Sequence, residues 1–239
     1  MRRLFVRRLP ELGGVVTLDD ATARHARVLR LRAGAPVRLF DGAGREADAR
    51  IVSIDEGPAV CEATLPEARP DERPRVVLVQ AMPKGSKLEG IVRMATELGV
   101  SEIHLATSGR TVARPDEHRA QKRADRLARI AVEAARQAGR AVVPEVVPPA
   151  QLMDVAARAP EDAWRVVLWE RSDRRLEAPP GAASAWIVVG PEGGLASAEV
   201  DALESAGFRS ASLGTSILRV ETAAPVAVAL VLDRLRGPS

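Results

Sequence analysis

Apolar positions follow two different rhythms along the chain. Between residues 2 and 67 they form short stretches, Leu4–Val6, Val15–Leu18, Val37–Phe40, Ala49–Ile54 and Ala59–Leu65, broken by glycine, proline and acidic turns. Strands this short at this spacing predict a small β-barrel rather than repeated strand–helix–strand units. A helix through Ala21–Leu29 interrupts them, with Asp19 or Asp20 as its cap, because a short side-chain oxygen satisfies the free N–H groups of a first turn. Asp41-Gly42-Ala43-Gly44 predicts a turn between strands.

The stretch Pro66–Pro74 holds three prolines and five charges with no apolar period, which predicts a linker. It divides the chain into expected domains 1–70 and 74–239. Beyond it the rhythm changes to strand runs at Val76–Ala81, Val100–Ala106, Val142–Val147, Arg165–Trp169, Ala185–Val189 and Ser210–Leu213. Helical patterns alternate with them at Lys87–Leu98, Glu117–Ala138, Ala150–Arg158 and Ser197–Ala206, and Thr222–Leu235 closes the series. In the first, Leu88, Ile91, Ala95 and Leu98 share a face and Gly99 is the stop. Ser197 is placed to cap the helix it opens, and Pro225 falls in the first turn of the last helix, where a missing N–H costs little. Strands alternating with helices predict an α/β fold, a mostly parallel sheet covered on both faces.

With 46% apolar and 28% charged residues, the chain can bury a core. The start, Met1 to Arg8, is basic but lacks the apolar stretch of a signal peptide. The longest uncharged apolar run, Ala223 to Leu232, falls short of the roughly 20 residues that span a bilayer, so a cytoplasmic protein without membrane contact is expected. Cys61 is the only cysteine, and His25, His104 and His118 lie far apart, so neither a disulfide nor a metal site is expected. Residues 1–50 carry eleven arginines against six acidic residues, an excess of five. That suits a phosphate-facing surface, and solvated arginines of a chain with only three lysines explain it equally well. Arg24, Arg27 and Arg30 recur at every third position of the expected first helix.

Two glycine turns carry the candidate chemistry. Gly190-Pro191-Glu192-Gly193-Gly194 follows one strand run and Leu213-Gly214 another. Glycine allows backbone to approach a ligand, and in open α/β sheets such turns sit at the carboxyl ends of strands, where ligands bind. Neither turn matches a dinucleotide or P-loop fingerprint. Arg219 and Glu221 stand beside the second turn at the mouth of an apolar segment, as a structural ion pair or as reacting groups.

Val189-Gly190-Pro191-Glu192-Gly193-Gly194, then Leu213-Gly214 and Ile217-Leu218-Arg219-x-Glu221-Thr222-Ala223, resemble the RsmE family, the 16S ribosomal RNA uridine-N3 methyltransferases of the SPOUT superfamily. The resemblance extends over nearly the whole chain. His25-Ala26-Arg27-Val28-Leu29-Arg30, with Gly34 and Leu39-Phe40-Asp41-Gly42, is similar to that family's PUA-like RNA-binding domain. Lys84-Gly85-x-Lys87, Ala95–Val100 and Glu133-Ala134-Ala135-x-Gln137-x-Gly139-Arg140 are similar to its central blocks. Ser216 departs from the family, which commonly has an arginine there.

The resemblance implies a C-terminal α/β trefoil knot, S-adenosylmethionine as cofactor, a homodimer, and small-subunit ribosomal RNA as partner. Carried onto this chain, it implies cofactor contacts from Trp169, Gly190, Glu192, Gly193, Gly194, Leu213, Gly214, Ile217, Leu218 and Thr222, with Ile217 and Leu218 as apolar walls. Uridine N3 bears a weakly acidic proton on the Watson–Crick edge, so its methylation needs an unpaired base and either a proton acceptor or a cation beside the developing anion. Arg219 is the expected cation; Glu192 or Glu221 is the expected acceptor or orients Arg219. No tyrosine and few other aromatics argue against binding by base stacking, leaving phosphate contacts from Arg24, Arg27, Arg30, Lys84, Lys87, Arg110, Arg114 and Arg140. A SPOUT enzyme acting on a ribose 2′-hydroxyl and a non-catalytic RNA-binding assembly factor are the other two readings.

Overall fold

The computed structural model describes residues 1–54, 58–109 and 117–236. It divides into two compact units, Met1–Glu72 with Val132–Val143, and Arg73–Ala131 with Pro144–Ser239.

The first unit is built on strands β1 (Arg2–Phe5), β2 (Gly14–Thr17), β3 (Pro36–Phe40), β4 (Arg45–Ser53), β5 (Val60–Ala63) and β6 (Glu67–Ala68). They form one six-stranded sheet in the order β1-β3-β4-β5-β2, with β6 on β4 and antiparallel pairing everywhere except β1 with β3. Alternating residues of these strands bury Leu4, Leu39, Ile51 and Cys61 in a common core, closed by helix α1 (Asp20–Val28) through Thr22, Ala23 and Ala26. Asp19, not Asp20, is the cap: its Oδ1 accepts the Thr22 N–H at 2.8 Å. Burial pushes the Cys61 thiol up to about 11, which keeps it un-ionised.

The expected linker is partly structured. Glu67 and Ala68 pair with Glu46 and Arg45, Arg69 donates its N–H to the Gly44 carbonyl, and Asp71 binds Arg140. Gly42, at φ 75°, leaves room for Val143: a Cβ there would lie 3.1 Å from both Phe5 and Val143 side-chain atoms.

The second unit comprises β7 (Arg75–Ala81), α2 (Lys87–Leu98), β8 (Glu102–Thr107), α3 (Glu117–Gln137, through Ala131), β9 (Glu145–Gln151), α4 (Leu152–Ala156), β10 (Trp164–Leu168), β11 (Ser184–Val189), α5 (Ser197–Ser205), β12 (Arg209–Ala211) and α6 (Val220–Arg236). Its sheet is wholly parallel in the order β12-β10-β11-β7-β8-β9. Val77 and Val79 of β7 face α4 and α5, while α2 and α6 pack together on the other side of the sheet. Gly99, at φ 118°, stops α2 by donating to the carbonyls of Ala95 and Thr96. That left-handed turn is where glycine is favoured.

Several expected boundaries move. β9 continues through Pro148 and Pro149 because it is an edge strand, where a missing N–H breaks no ladder bond on the open side. Val92 and Thr96 point inward from α2, whereas Leu98 is partly exposed. Ser197 is the first residue of α5 rather than its cap; Glu199 instead reaches back to the Ala196 N–H at 2.8 Å. Helix α6 begins at Val220, so Pro225 lies inside it and cannot donate to the Glu221 carbonyl. Among the described residues no helix is long and apolar enough to cross a membrane.

Candidate active site

In a wholly parallel sheet, all strands end on one edge. There the turns following β10, β11 and β12, with the first residue of α2, enclose a cavity of about 430 Å³, within the range of small-molecule sites. The β11 turn is tight: its Gly194 N–H returns to the Pro191 carbonyl at 2.9 Å, and a Cβ on Gly190 would lie 3.1 Å from Gly194 and Leu195 atoms. From β7, the fully buried Gln80 amide donates to the Gly190 carbonyl at 3.3 Å and fixes the turn's base. The Trp169 N–H binds the Ala211 carbonyl at 3.0 Å, tying the β10 turn to the end of β12. Gly214, at φ 134°, has nothing within 4 Å of where a Cβ would stand. Much of the cavity wall is therefore backbone.

Three charged groups meet at the β7 side of the cavity. The Glu192 carboxylate accepts the Lys84 N–H at 3.0 and 3.1 Å and pairs with Lys87 Nζ at 3.1 Å. Lys87 Nζ also stands 3.7 Å from Glu221 Oε2, which is buried without a hydrogen-bond partner among the described residues. Partial burial works to raise the Glu192 pKa, but the N–H groups of Glu192 and Lys84, together with Lys87, outweigh it and hold the carboxyl below its ordinary value. A carboxylate so engaged is a poor proton acceptor. Arg219 lines the cavity with an exposed side chain, and its carbonyl opens α6 by accepting from Thr222 and Ala223. Among the described residues no ion pair joins Arg219 to Glu192 or Glu221, so neither glutamate orients it here.

Of the expected site residues, Trp169, Gly190, Glu192, Gly193, Gly194, Leu213, Gly214, Ile217, Leu218, Arg219 and Glu221 all line this cavity. Thr222 does not; it is exposed on α6. Ile217 is 84% exposed, so its side chain extends from the rim into solvent rather than forming an apolar wall. Ser216 also lines the cavity. Lys87, expected to face phosphates, is instead the link between two glutamates, a role hidden in the sequence because its partners lie more than a hundred residues away. Glu170 is another cavity carboxylate; it belongs to no motif, so nothing in the sequence marks it.

The expected phosphate contacts divide. Lys84 and Arg24 are exposed. Arg27 donates Nε to the Ile54 carbonyl at 2.8 Å, and Arg30 lies past the end of α1 in a left-handed conformation, so the three arginines do not form one helical face. Arg140 is only 3% exposed and binds Asp71 at 2.8 Å, which removes its guanidinium from an RNA-facing surface. Arg110 and Arg114 lie outside the described residues. Among the described residues no group of three or more side chains suited to metal binding occurs.

Residues 70–232 match a model described as an RNA methyltransferase domain, and residues 18–63 one described as an RNA methyltransferase PUA domain. The chain is 35% identical to ribosomal RNA small subunit methyltransferase E of Mycobacterium bovis, over 95% of this chain and 89% of that protein. It is 32% identical to the Bacillus subtilis protein of the same name, over 88% and 87%. The crystal structure of the Neisseria gonorrhoeae protein of that name, bound to S-adenosyl methionine, superposes with a TM-score of 0.89 at 30% identity, covering 97% of this chain and 96% of that one.

Proposed function

This chain belongs to the ribosomal RNA small subunit methyltransferase E family, and from that premise we propose that it methylates N3 of a uridine in 16S ribosomal RNA. The enzyme uses S-adenosylmethionine, and its C-terminal unit has the SPOUT trefoil-knot architecture. The cavity fits that cofactor: its volume is sufficient, and the turns at Gly190–Gly194 and Leu213–Gly214 offer backbone groups unobstructed by side chains. Trp169, the glycine turns, Leu213 and Leu218 would hold it. When bound, the cofactor supplies an electrophilic methyl group on a sulfonium.

The observation that carries the N3 assignment is Arg219, a cation on the rim of this cavity that neither neighbouring carboxylate neutralises. As N3 loses its proton, negative charge spreads over O2 and O4 of uracil, and a preset guanidinium stabilises that anion. Glu192 instead joins the β7 and β11 turns through Lys84 and Lys87. Of the two glutamates beside Lys87, Glu221 is the one left to accept the proton. Phosphate contacts come from exposed arginines of the N-terminal unit and from Lys84. A second copy of the chain would cover Val226, Ala229 and Leu230, apolar and half-buried at i, i+3 and i+4 along α6. A bacterial ribosome-modifying enzyme of this kind works in the cytoplasm.

The test is methyl transfer from labelled S-adenosylmethionine to small subunits of a strain lacking this activity, followed by nucleoside analysis. 3-Methyluridine is expected; a 2′-O-methylated nucleoside would overturn the assignment. Arg219→Ala should lower turnover by about 100- to 1,000-fold, the scale of losing one preset donor, while cofactor affinity changes little. Light scattering should give twice the chain mass.

A further inference from the structure

Most of the charge lining the cavity is accounted for on its β7 side, where Lys87 answers Glu192 and Glu221. Glu170 stands on the other side. It ends the Leu168-Trp169-Glu170 run out of β10, and in this sheet β10 flanks β11 opposite β7. Its carboxylate lies against the β11 turn: a Cβ on Gly194 would stand 3.4 Å from one of its oxygens and 3.5 Å from the other. Both oxygens thus present themselves side by side to the glycine backbone. Arg171, Arg174 and Arg175 follow in sequence, yet among the described residues Glu170 makes no ion pair with any of them; Arg174 pairs with Glu204.

An ionised carboxylate is an acceptor only, with two oxygens that can take two parallel donors. A vicinal diol presents two such donors at matching separation. An acidic residue just past a strand end, beside a glycine turn, is how open α/β sheets hold ribose hydroxyls. We propose that Glu170 binds the ribose diol of the cofactor, accepting from its 2′- and 3′-hydroxyls. The inference rests on the S-adenosylmethionine reading of the cavity. On that reading, Glu170 would hold the sugar, and a side chain at position 194 would press against the carboxylate that holds it.

Calorimetric titration of the full chain and of Glu170→Gln tests this with two ligands, S-adenosylhomocysteine and 5′-methylthioadenosine, which share the ribose and differ in the amino-acid end. Affinity for both should fall by the same factor, roughly 10- to 100-fold, as for loss of hydrogen bonds to a charged group. A 2′-deoxy analogue of methylthioadenosine should bind the two proteins with far less difference. Loss confined to S-adenosylhomocysteine would assign Glu170 to the amino-acid ammonium, and no loss for either ligand would make it a solvated surface carboxylate. Both outcomes overturn the proposal. Because the change is isosteric at an exposed position, ligand-free melting should match the parent; a lowered melting point with unequal losses also refutes the ribose role. If the parent chain bound neither ligand, the cofactor reading itself would fall, and the ribose assignment with it.

Discussion

In the first unit, many arginines are answered by carboxylates or carbonyls close by. Arg38 meets Asp48 directly across the β3–β4 ladder at 2.7 Å, Arg45 meets Asp41 at 2.8 Å, Arg3 meets Glu46, and Arg27 and Arg50 donate to the carbonyls of Ile54 and Gly34. At the carboxyl edge of the second sheet the arrangement is reversed: much of the wall is backbone, and Arg219 and Glu170 face the cavity without ion-pair partners among the described residues. Formal charge is therefore a poor guide to available charge. Of the eleven arginines in residues 1–50, those that offer a phosphate-binding surface are exposed ones such as Arg7, Arg8, Arg24, Arg30 and Arg32. A function that needs free charge has to be sought where pairing is incomplete.

The contrast can be broken most severely at Asp71. Replacing it with alanine removes the carboxylate that the Arg140 guanidinium, 3% exposed, binds at 2.8 Å, and should cost about 1.5–3 kcal/mol, the usual worth of a hydrogen bond to a charged group. Urea denaturation would read the loss, while affinity for S-adenosylhomocysteine stays near the parent value once the chain is folded. Gly194→Val strikes the opposite region. At φ 68° a β-branched residue is strained, and its side chain would enter the space beside Glu170, so cofactor affinity should drop by about 100-fold or more. Calorimetry showing parental binding would mean that the β11 turn does not line the ligand site.

Smaller effects sharpen the distinction between free and committed arginines. The Arg7→Ala/Arg8→Ala pair should weaken RNA binding and reduce the slope of log affinity against log salt by about 1.5–2, whereas Arg38→Ala should leave that slope unchanged. Filter binding across a salt series would show whether the two classes behave alike. Glu192 supplies the smallest effect. Its carboxyl is held below the ordinary value, so it contributes stability that is fully present above the unfolded carboxylate pKa of about 4.3 and is lost as pH falls through the lower folded value. The melting-point difference between the parent and Glu192→Gln should accordingly be visible at neutral pH and shrink below about pH 4. A difference that persisted at lower pH would point to packing rather than charge.

What could be read from the sequence follows from how local each determinant is. Helix α2 was legible to the residue, because the apolar spacing from Leu88 and the stop at Gly99 both lie within it. The two glycine turns, which line the cavity, were legible as turns at strand ends because the residue type itself permits tight backbone approach. The end of β9 was not, since proline tolerance at Pro148 and Pro149 depends on the strand being at a sheet edge, a property of strand order rather than of the segment. Nor was the start of α6, whose first turn forms around the Arg219 carbonyl ahead of a proline that suggested a later beginning. Lys87 and Arg140 were misread for the same physical reason. Each looks like a free cation along the chain and acquires its carboxylate only through the fold.

The strand order also constrains how the molecule is made. β7 lies at the heart of the parallel sheet, yet one of its two neighbours, β11, supplies partners 109 residues further along. While the chain is being synthesised, Arg75–Ala81 therefore waits with one flank unpaired until Ser184–Val189 arrives, and α6, which packs on α2, β7 and β11, comes later still. Long-range parallel pairing of this kind is slow and leaves apolar strand edges exposed in the interval. A nascent chain stalled before β12 would carry the PUA-like unit and most of the sheet, but only part of the cavity lined by the turns after β10, β11 and β12. On the proposed assignment of that cavity, competence to bind the methyl donor is acquired late in the life of each molecule.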